Sequence, residues 1–441
     1  MHQRSKSEAL PTARIADATA DAELLAPMER QHGGACNGTA FALTRRRWLA
    51  ATGATLLAAQ AGCSARANDT RDGRRAASTK ALRLLGSATL PYRLSFLRTT
   101  VGGLSGLDYD SANDLWFAIS DDGWPPRYYT LHIPFSEQGM PVPRLTSVVG
   151  MAQANGVLYP RRGPGRLVCD PESIRFRPST RTLLWTSEGD RHRGVDPFLR
   201  EMTTSGRHLR EFRLPAHFHM NPDGNTGPRK NGAFEGLALT TDGGGAWVAM
   251  ENPLLQDGPE AGVDDPGAPC RFTLFDLASG NPLHQIAYRP EKIARVPIPG
   301  LAFADNGVSE ILMLDSHRML VLERGFSVGA GVSLRLYMID VRSASDTLGL
   351  ETLRGAPVRL APKTLVADFD DLGLARLDNT EGMAWGPRLP ASGGQPGQRT
   401  LVFVSDDNFN PLQITQFAAF AFTDPGTHAP PAPLLPEPAR A

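Results

Sequence analysis

A four-residue pattern recurs five times along the chain, and few architectures repeat at so long a period. The copies are Leu104-Ser105-Gly106-Leu107, Pro171-Glu172-Ser173-Ile174, Phe234-Glu235-Gly236-Leu237, Ser309-Glu310-Ile311-Leu312 and Thr380-Glu381-Gly382-Met383. The intervals between second positions are 67, 63, 75 and 71 residues. That is too long for a two-helix solenoid unit and suits a four-stranded propeller blade with generous loops. A second acidic motif follows each copy at the end of an apolar run, around Asp121, Glu188, Glu251, Glu323 and Asp406. The offset is 16 residues in the first three units, 13 in the fourth and 25 in the fifth, where a Pro/Gly-rich loop around Pro390–Gln398 intervenes.

The third unit reads as four strands, Phe234–Thr240, Ala246–Met250, Arg271–Leu277 and His284–Tyr288, separated by Gly/Asp/Asn/Pro turns. β-Branched and aromatic residues dominate these runs, and long helical periodicity is scarce. The fold class is therefore all-β, a propeller of five blades; six would require one unit to hide a degenerate blade. Only three strands follow Glu381, so Ala81–Leu90 is expected to supply the fourth. Pairing it beside Ile414–Phe422 would close the ring and remove open sheet edges.

The front of the chain is not propeller. Residues 1–43 read as a long, disordered leader, and residues 44–67 as a signal segment. There Thr44-Arg45-Arg46-Arg47-Trp48-Leu49 resembles a twin-arginine export motif, followed by the apolar run Trp48–Ala61. Two processing routes are compatible with it: acylation at Cys63, which would anchor the protein to a membrane by lipid, or cleavage after Ala67. Either route places the folded domain outside the cytoplasm, in the periplasm or at the outer surface. A linker (68–79) leads to the domain (80–423), and a Pro-rich tail (424–441) follows. Lys+Arg and Asp+Glu both number 46, a balance that gives no support to a nucleic-acid partner. The chain is read as a monomer. Within the domain, Cys169 and Cys270 stand either as a disulfide or as two buried thiols.

Propeller topology predicts where the acidic residues go. The repeated Glu opens each inner strand, the second acid closes the second strand, and Arg127, Arg271 and Arg335 open third strands. All three classes then share one face of the disc. A ring of Glu172, Glu235, Glu310 and Glu381 would repel itself strongly unless a hard cation relieved it. Calcium takes several oxygen ligands in flexible geometry, and Asn231 and Asn306, each four residues before a ring Glu, would add neutral oxygens. The alternative is that the repeated carboxylates serve only to bond neighbouring-blade amides. Gly103-Leu104-Ser105-Gly106-Leu107 lacks the second glycine of a nucleophile elbow. His192, His217 and His219 lie in or near long loops and read as surface residues.

As a set, the Gly-Leu-Ser-Gly-Leu-Asp opening, Asp170-Pro171-Glu172-Ser173-Ile174, Phe234-Glu235-Gly236-Leu237-Ala238, Leu320-Val321-Leu322-Glu323-Arg324, Asn379-Thr380-Glu381-Gly382-Met383 and Ser405-Asp406-Asp407-Asn408 resemble the phytase-like family, "esterase-like activity of phytase". The resemblance spans about Leu90–Phe422. It implies an exported propeller-like domain whose recurring acids act on a small phosphoester. The reading that follows is a calcium-dependent hydrolase. Its metal ligands would be Glu172, Glu235, Glu310, Glu381, Asn231 and Asn306. Its catalytic groups would be Asp121, Glu188, Glu251, Glu323 and Asp406, with Arg127 and Arg271 on the phosphate. A non-catalytic binding propeller and a lactonase-type hydrolase are the alternatives.

Overall fold

The computed structural model describes residues 75–426 except 76, 79, 124, 160–168, 300–302 and 392–396. The leader, the twin-arginine segment, Cys63 and the tail beyond 426 lie outside the described residues. Among the described residues, no helix is long and apolar enough to cross a membrane.

Five four-stranded antiparallel sheets form the propeller. Blade 1 comprises Leu104–Asp110, Leu115–Ser120, Arg127–His132 and Arg144–Gly150; blade 2 comprises Pro171–Arg177, Thr182–Ser187, Phe198–Thr203 and His208–Glu211. Blade 3 comprises Phe234–Leu239, Gly245–Met250, Cys270–Asp276 and Pro282–Tyr288; blade 4 comprises Ala304–Met313, Arg318–Ser327, Gly331–Asp340 and Lys363–Asp368. Blade 5 takes Asn379–Gly386, Arg399–Asp406 and Gln416–Phe422 from the end of the chain and Leu82–Thr89 from its start. The closing pair runs antiparallel from Leu82↔Phe422 to Thr89↔Gln416, as the strand count after Glu381 predicts.

Burial grades outward along each blade. Second strands such as Thr182–Ser187 and Gly245–Met250 are buried along their whole length, because neighbouring blades cover both faces. That is why they read as continuous apolar runs rather than alternating ones. Outer strands such as His208–Glu211 alternate between half-buried and exposed. The core lies between blades. Phe117, Ile174 and Trp185 pack between blades 1 and 2, Leu320, Phe403 and Phe420 between 4 and 5, and Leu107, Trp116 and Phe417 between 5 and 1. Each fully buried aromatic of this kind contributes about 1.5–3 kcal/mol.

Every inner strand carries a β-bulge near its start, and the bulges fix the true alignment of the repeats. In blade 1 the extra residue is Ser105, between Leu104↔Ser120 and Gly106↔Ile119; in blade 5 it is Glu381, between Thr380↔Ser405 and Gly382↔Val404. Blades 2 and 3 shift across Pro171–Ile174 and Phe234–Leu237. In blade 4 the shift falls between Val308↔Glu323 and Glu310↔Leu322, so the bulged residue is Ser309. The fourth motif is therefore one residue out of step. Ser309 holds the position of Glu172, Glu235 and Glu381, while Glu310 holds that of Gly106, Gly236 and Gly382.

This slip sends Glu310 to the propeller axis, where it meets Arg175. Their Oε2 and Nη2 atoms are 2.8 Å apart, at 0% and 2% side-chain exposure. The guanidinium also donates to the carbonyls of Leu107 (2.5 Å), Ile174 (2.9 Å), Ile311 (3.2 Å) and Met383 (3.1 Å), on blades 1, 2, 4 and 5. Glu310 accepts from Leu237 N of blade 3 at 2.8 Å, and from Ser173 Oγ at 2.9 Å. One ion pair thus touches the inner strand of every blade. Removing one partner strands a buried charge, which costs about 3–5 kcal/mol. Arg175→Met should lower the unfolding free energy by that amount in urea denaturation, and Arg175→Met/Glu310→Met should recover most of it. A loss under about 1 kcal/mol in the single variant would show that the axis pair does not hold the blades.

Candidate functional site

The same register that buries Glu310 assembles an acidic mouth at one end of the axis. Two residues per blade contribute: the bulged residue of the inner strand and the residue that follows the second-strand partner of the position before the bulge. The bulge positions are Ser105, Glu172, Glu235, Ser309 and Glu381; the others are Asp121, Glu188, Glu251, Arg324 and Asp406. All are at most 8% exposed. Asp121 N bonds Gly103 O at 2.7 Å, Glu188 N bonds Asp170 O at 3.0 Å and Glu251 N bonds Ala233 O at 2.8 Å. These bonds carry the sheet ladder one residue further and fix each acid at the rim. Ser105 Oγ donates to Pro171 O at 3.2 Å, and Ser309 Oγ donates to Thr380 O at 3.3 Å. In both cases the acceptor directly precedes the next blade's bulged Glu, which confirms that the two serines are equivalent.

Two carboxylate triads converge here. Asp170, Glu172 and Glu188 form one, and Glu188, Glu235 and Glu251 the other, each with ligand atoms within 4.8 Å of one another. Glu188 is common to both, and Ala233 N orients its Oε1 at 2.7 Å. Beside the second triad, Arg324 Nη2 lies 2.9 Å from Glu251 Oε1 and 3.7 Å from Glu381 Oε1. Arg324 Nη1 donates to Asn379 Oδ1 at 2.7 Å, and Asn379 Nδ2 donates to Glu381 Oε1 at 2.8 Å. Gly103 makes room for the cluster: its φ is +62°, and a Cβ there would lie 2.1 Å from Asp121 Oδ1.

Crowding raises the carboxyl pKa values. Burial, then Glu235, Asp170, Glu188 and Asp121, pushes Glu172 well above the usual carboxylate range. Burial, then Glu188, Glu251 and Glu381, does the same to Glu235, against the opposing charge of Arg324. Asp406 is raised by burial, then by Asp121, Glu381 and Asp407.

Several expected site residues lie elsewhere. Glu310 is spent on the axis. Glu323 faces the interface of blades 3 and 4, where it accepts from Tyr288 Oη (2.5 Å), Lys363 Nζ (2.9 Å), Glu291 N (2.9 Å) and Asn306 Nδ2 (3.0 Å). The cause is again the one-residue slip, since adjacent strand residues point to opposite faces. Asn306 goes with Glu323, its Nδ2 also bonding Glu291 O at 2.8 Å. Asn231 is a turn residue at φ 50°, and the amide beside the acids is instead Asn379. Arg127 is locked by Asp122 (2.8 Å), Tyr129 Oη (2.7 Å), Pro125 O (3.0 Å) and Thr100 O (2.8 Å). Arg271 is locked by both Asp257 oxygens (2.7 and 2.9 Å), Gln285 (3.0 Å) and Leu350 O (2.7 Å). Neither guanidinium is available to a phosphate. His217 is buried rather than exposed; its Nε2 lies 3.0 Å from Gln285 Nε2, and burial with Arg271 nearby pushes its pKa down to about 3. Cys169 and Cys270 are buried free thiols.

Sequence reasoning passed over Asp170, Arg175, Arg324 and Asn379. The short fourth offset was a signal for Arg324: Ser309 to Arg324 is 15 residues, close to the 16 of the first three units, whereas Glu310 to Glu323 is 13.

Fold and site together define a five-bladed propeller with a buried acidic mouth whose two carboxylate triads could hold a metal ion. The chain belongs to the phytase-like family described as "esterase-like activity of phytase", whose profile matches residues 99–409. A search among curated proteins returned no match. Among solved structures, the endo-arabinase from Bacteroides thetaiotaomicron aligns at TM-score 0.38 and 9% identity, covering 74% of this chain and 96% of its own. The Kuenenia stuttgartiensis hydrazine synthase aligns at TM-score 0.33 and 12% identity, covering 71% and 79%.

The raised carboxyl pKa values make stability depend on pH. Below the ordinary values of 4.5 for Glu and 3.8 for Asp, folded and unfolded chains hold the same protons and no stability is lost. As pH rises through the folded-state values, the unfolded chain ionises first and the folded state loses ground. In chelator the melting temperature should therefore fall as pH rises from about 4.5 towards 8, and Glu188→Gln should raise it at pH 8. A melting temperature in chelator that climbs over this range would contradict the cluster's electrostatics.

Proposed function

We propose that this protein is a calcium-dependent phosphoester hydrolase acting at the acidic mouth. The observation that carries the cation is the pair of buried triads sharing Glu188, with ligand atoms within 4.8 Å. The donor set fits: it is all carboxylate oxygen, with no nitrogen or sulfur ligand in either triad, which suits a hard ion of flexible geometry such as calcium. The phosphoester part rests on the family's description.

When bound, such an ion would neutralise phosphoryl charge and lower the pKa of a bound water. The chain's own residues do the rest. Glu188 is held in place by the Ala233 amide, so its carboxylate is presented rather than free to rotate. Glu172 and Glu235, whose carboxyls are raised by burial and crowding, would have to ionise to hold such an ion, so its binding would be coupled to pH. Asp406 belongs to neither triad, and burial, then Asp121, Glu381 and Asp407, raises its carboxyl well above the usual range. A carboxyl raised in this way would serve as general acid towards the leaving-group oxygen.

The test pairs binding with turnover. Calcium should raise the melting temperature by mass action on the folded state, and hydrolysis of a phosphomonoester and phosphodiester panel should require it. Glu188→Gln should abolish both effects while leaving the fold intact, because the amide Oε1 still accepts from Ala233 N. A calcium shift without turnover on any phosphoester would leave a binding propeller. No shift at all would remove the cation from the account.

A further inference from the structure

The mouth is built from five equivalent positions, and they are not chemically equivalent. At the residue after the second-strand partner of the position before the bulge, blades 1, 2, 3 and 5 place Asp121, Glu188, Glu251 and Asp406; blade 4 places Arg324. The register makes this unambiguous: Val308 pairs with Glu323 where Phe234 pairs with Met250 and Leu104 pairs with Ser120, so Arg324 follows the second-strand residue as Glu251 and Asp121 do. An arginine thus stands where four blades offer a carboxylate.

Its placement is specific. The guanidinium is 4% exposed and 2.9 Å from Glu251 Oε1, and Glu251 belongs to only one of the two triads. The Nη1 bond to Asn379 Oδ1 at 2.7 Å ties the group to blade 5, and Glu381 lies 3.7 Å away. Rotating the side chain out would break both contacts and leave Glu251 buried beside Glu188 and Glu235. A divalent ion among Glu188, Glu235 and Glu251 would therefore compete with a fixed cation for Glu251 and meet its repulsion.

We propose that Arg324 is a resident counter-cation, whose guanidinium stands in for a divalent ion at the Glu188–Glu235–Glu251 triad and leaves Asp170–Glu172–Glu188 as the calcium seat. The inference rests on the reading that the mouth holds calcium, and it adds what that reading leaves open: which triad is used and how many ions bind. Arg324 is a positioning residue here, acting through the carboxylates it neutralises. Ser105 and Ser309 fit the same arrangement, since they remove carboxylates from blades 1 and 4 and leave two on each of blades 2, 3 and 5.

Calcium titration by calorimetry on the full chain tests this without reference to activity. Wild type should bind one ion. Arg324→Met should bind two, the second in the opened triad, and Arg324→Lys should return to one. Glu251→Gln should leave calcium affinity within about threefold of wild type, because the lost charge was already neutralised, whereas Glu172→Gln should weaken it at least tenfold. The Glu pair keeps the proposal testable if Arg324→Met does not fold. Arg324→Met with wild-type stoichiometry and affinity would overturn it, as would Glu251→Gln weakening binding as much as Glu172→Gln. If wild type binds no calcium but Arg324→Met does, the counter-cation stands and the hydrolase reading fails. If neither binds, both fail.

Discussion

Arg175 and Glu310 meet at the axis with no water-facing surface to speak of, and each blade's inner strand bonds to one or the other. A guanidinium has five donors in a fixed plane, which lets one side chain serve several carbonyls at once. The carbonyls that turn inward on inner strands would otherwise be buried acceptors needing partners. The pair therefore does at the axis what the Leu82–Thr89 strand does at the rim: it converts five separate sheets into a closed ring. It also sets the level at which the inner strands align, and so the level at which their bulged residues project into the mouth.

Electrostatics differ sharply between the axis and the mouth a few residues away. At the axis one positive and one negative group offset each other. At the mouth Asp170, Glu172, Glu188, Glu235 and Glu251 gather on blades 2 and 3, while Arg324 of blade 4 engages Glu251 and, with Asn379, Glu381 of blade 5. Crowded buried carboxylates destabilise a fold unless protons or a cation accompany them. Sites that give up stability in this way are where function is found most often. The closed ring and the inter-blade aromatic packing are rigid enough to hold the strain.

The sequence made the ring legible because the repeat reports position in each blade: the start of an inner strand and the end of a second strand. From that came five blades, the strand exchanged between the chain ends, and the convergence of Glu172, Glu235, Glu381, Asp121, Glu188, Glu251 and Asp406. The errors at Glu310, Glu323 and Asn306 share one cause. A β-bulge adds a residue without changing composition, so Ser309-Glu310 looks like one more copy of the motif while the ladder places Ser309 in the ring. Glu310 and Glu323 were misread for that reason, and Asn306 with Glu323. Arg127 and Arg271 were misread for another: their partners, Thr100 O, Asp257 and Leu350 O, come from loops whose approach no local pattern announces.

The central claim is that the mouth is a calcium seat, and anomalous scattering tests it most directly. Crystals grown with calcium and measured at long wavelength should show a difference peak at the mouth about 2.3–2.6 Å from carboxylate oxygens of Glu188 and Glu172. A well-ordered mouth with no peak, its carboxylates bonded only to protein donors such as Ala233 N and Arg324, would contradict the account.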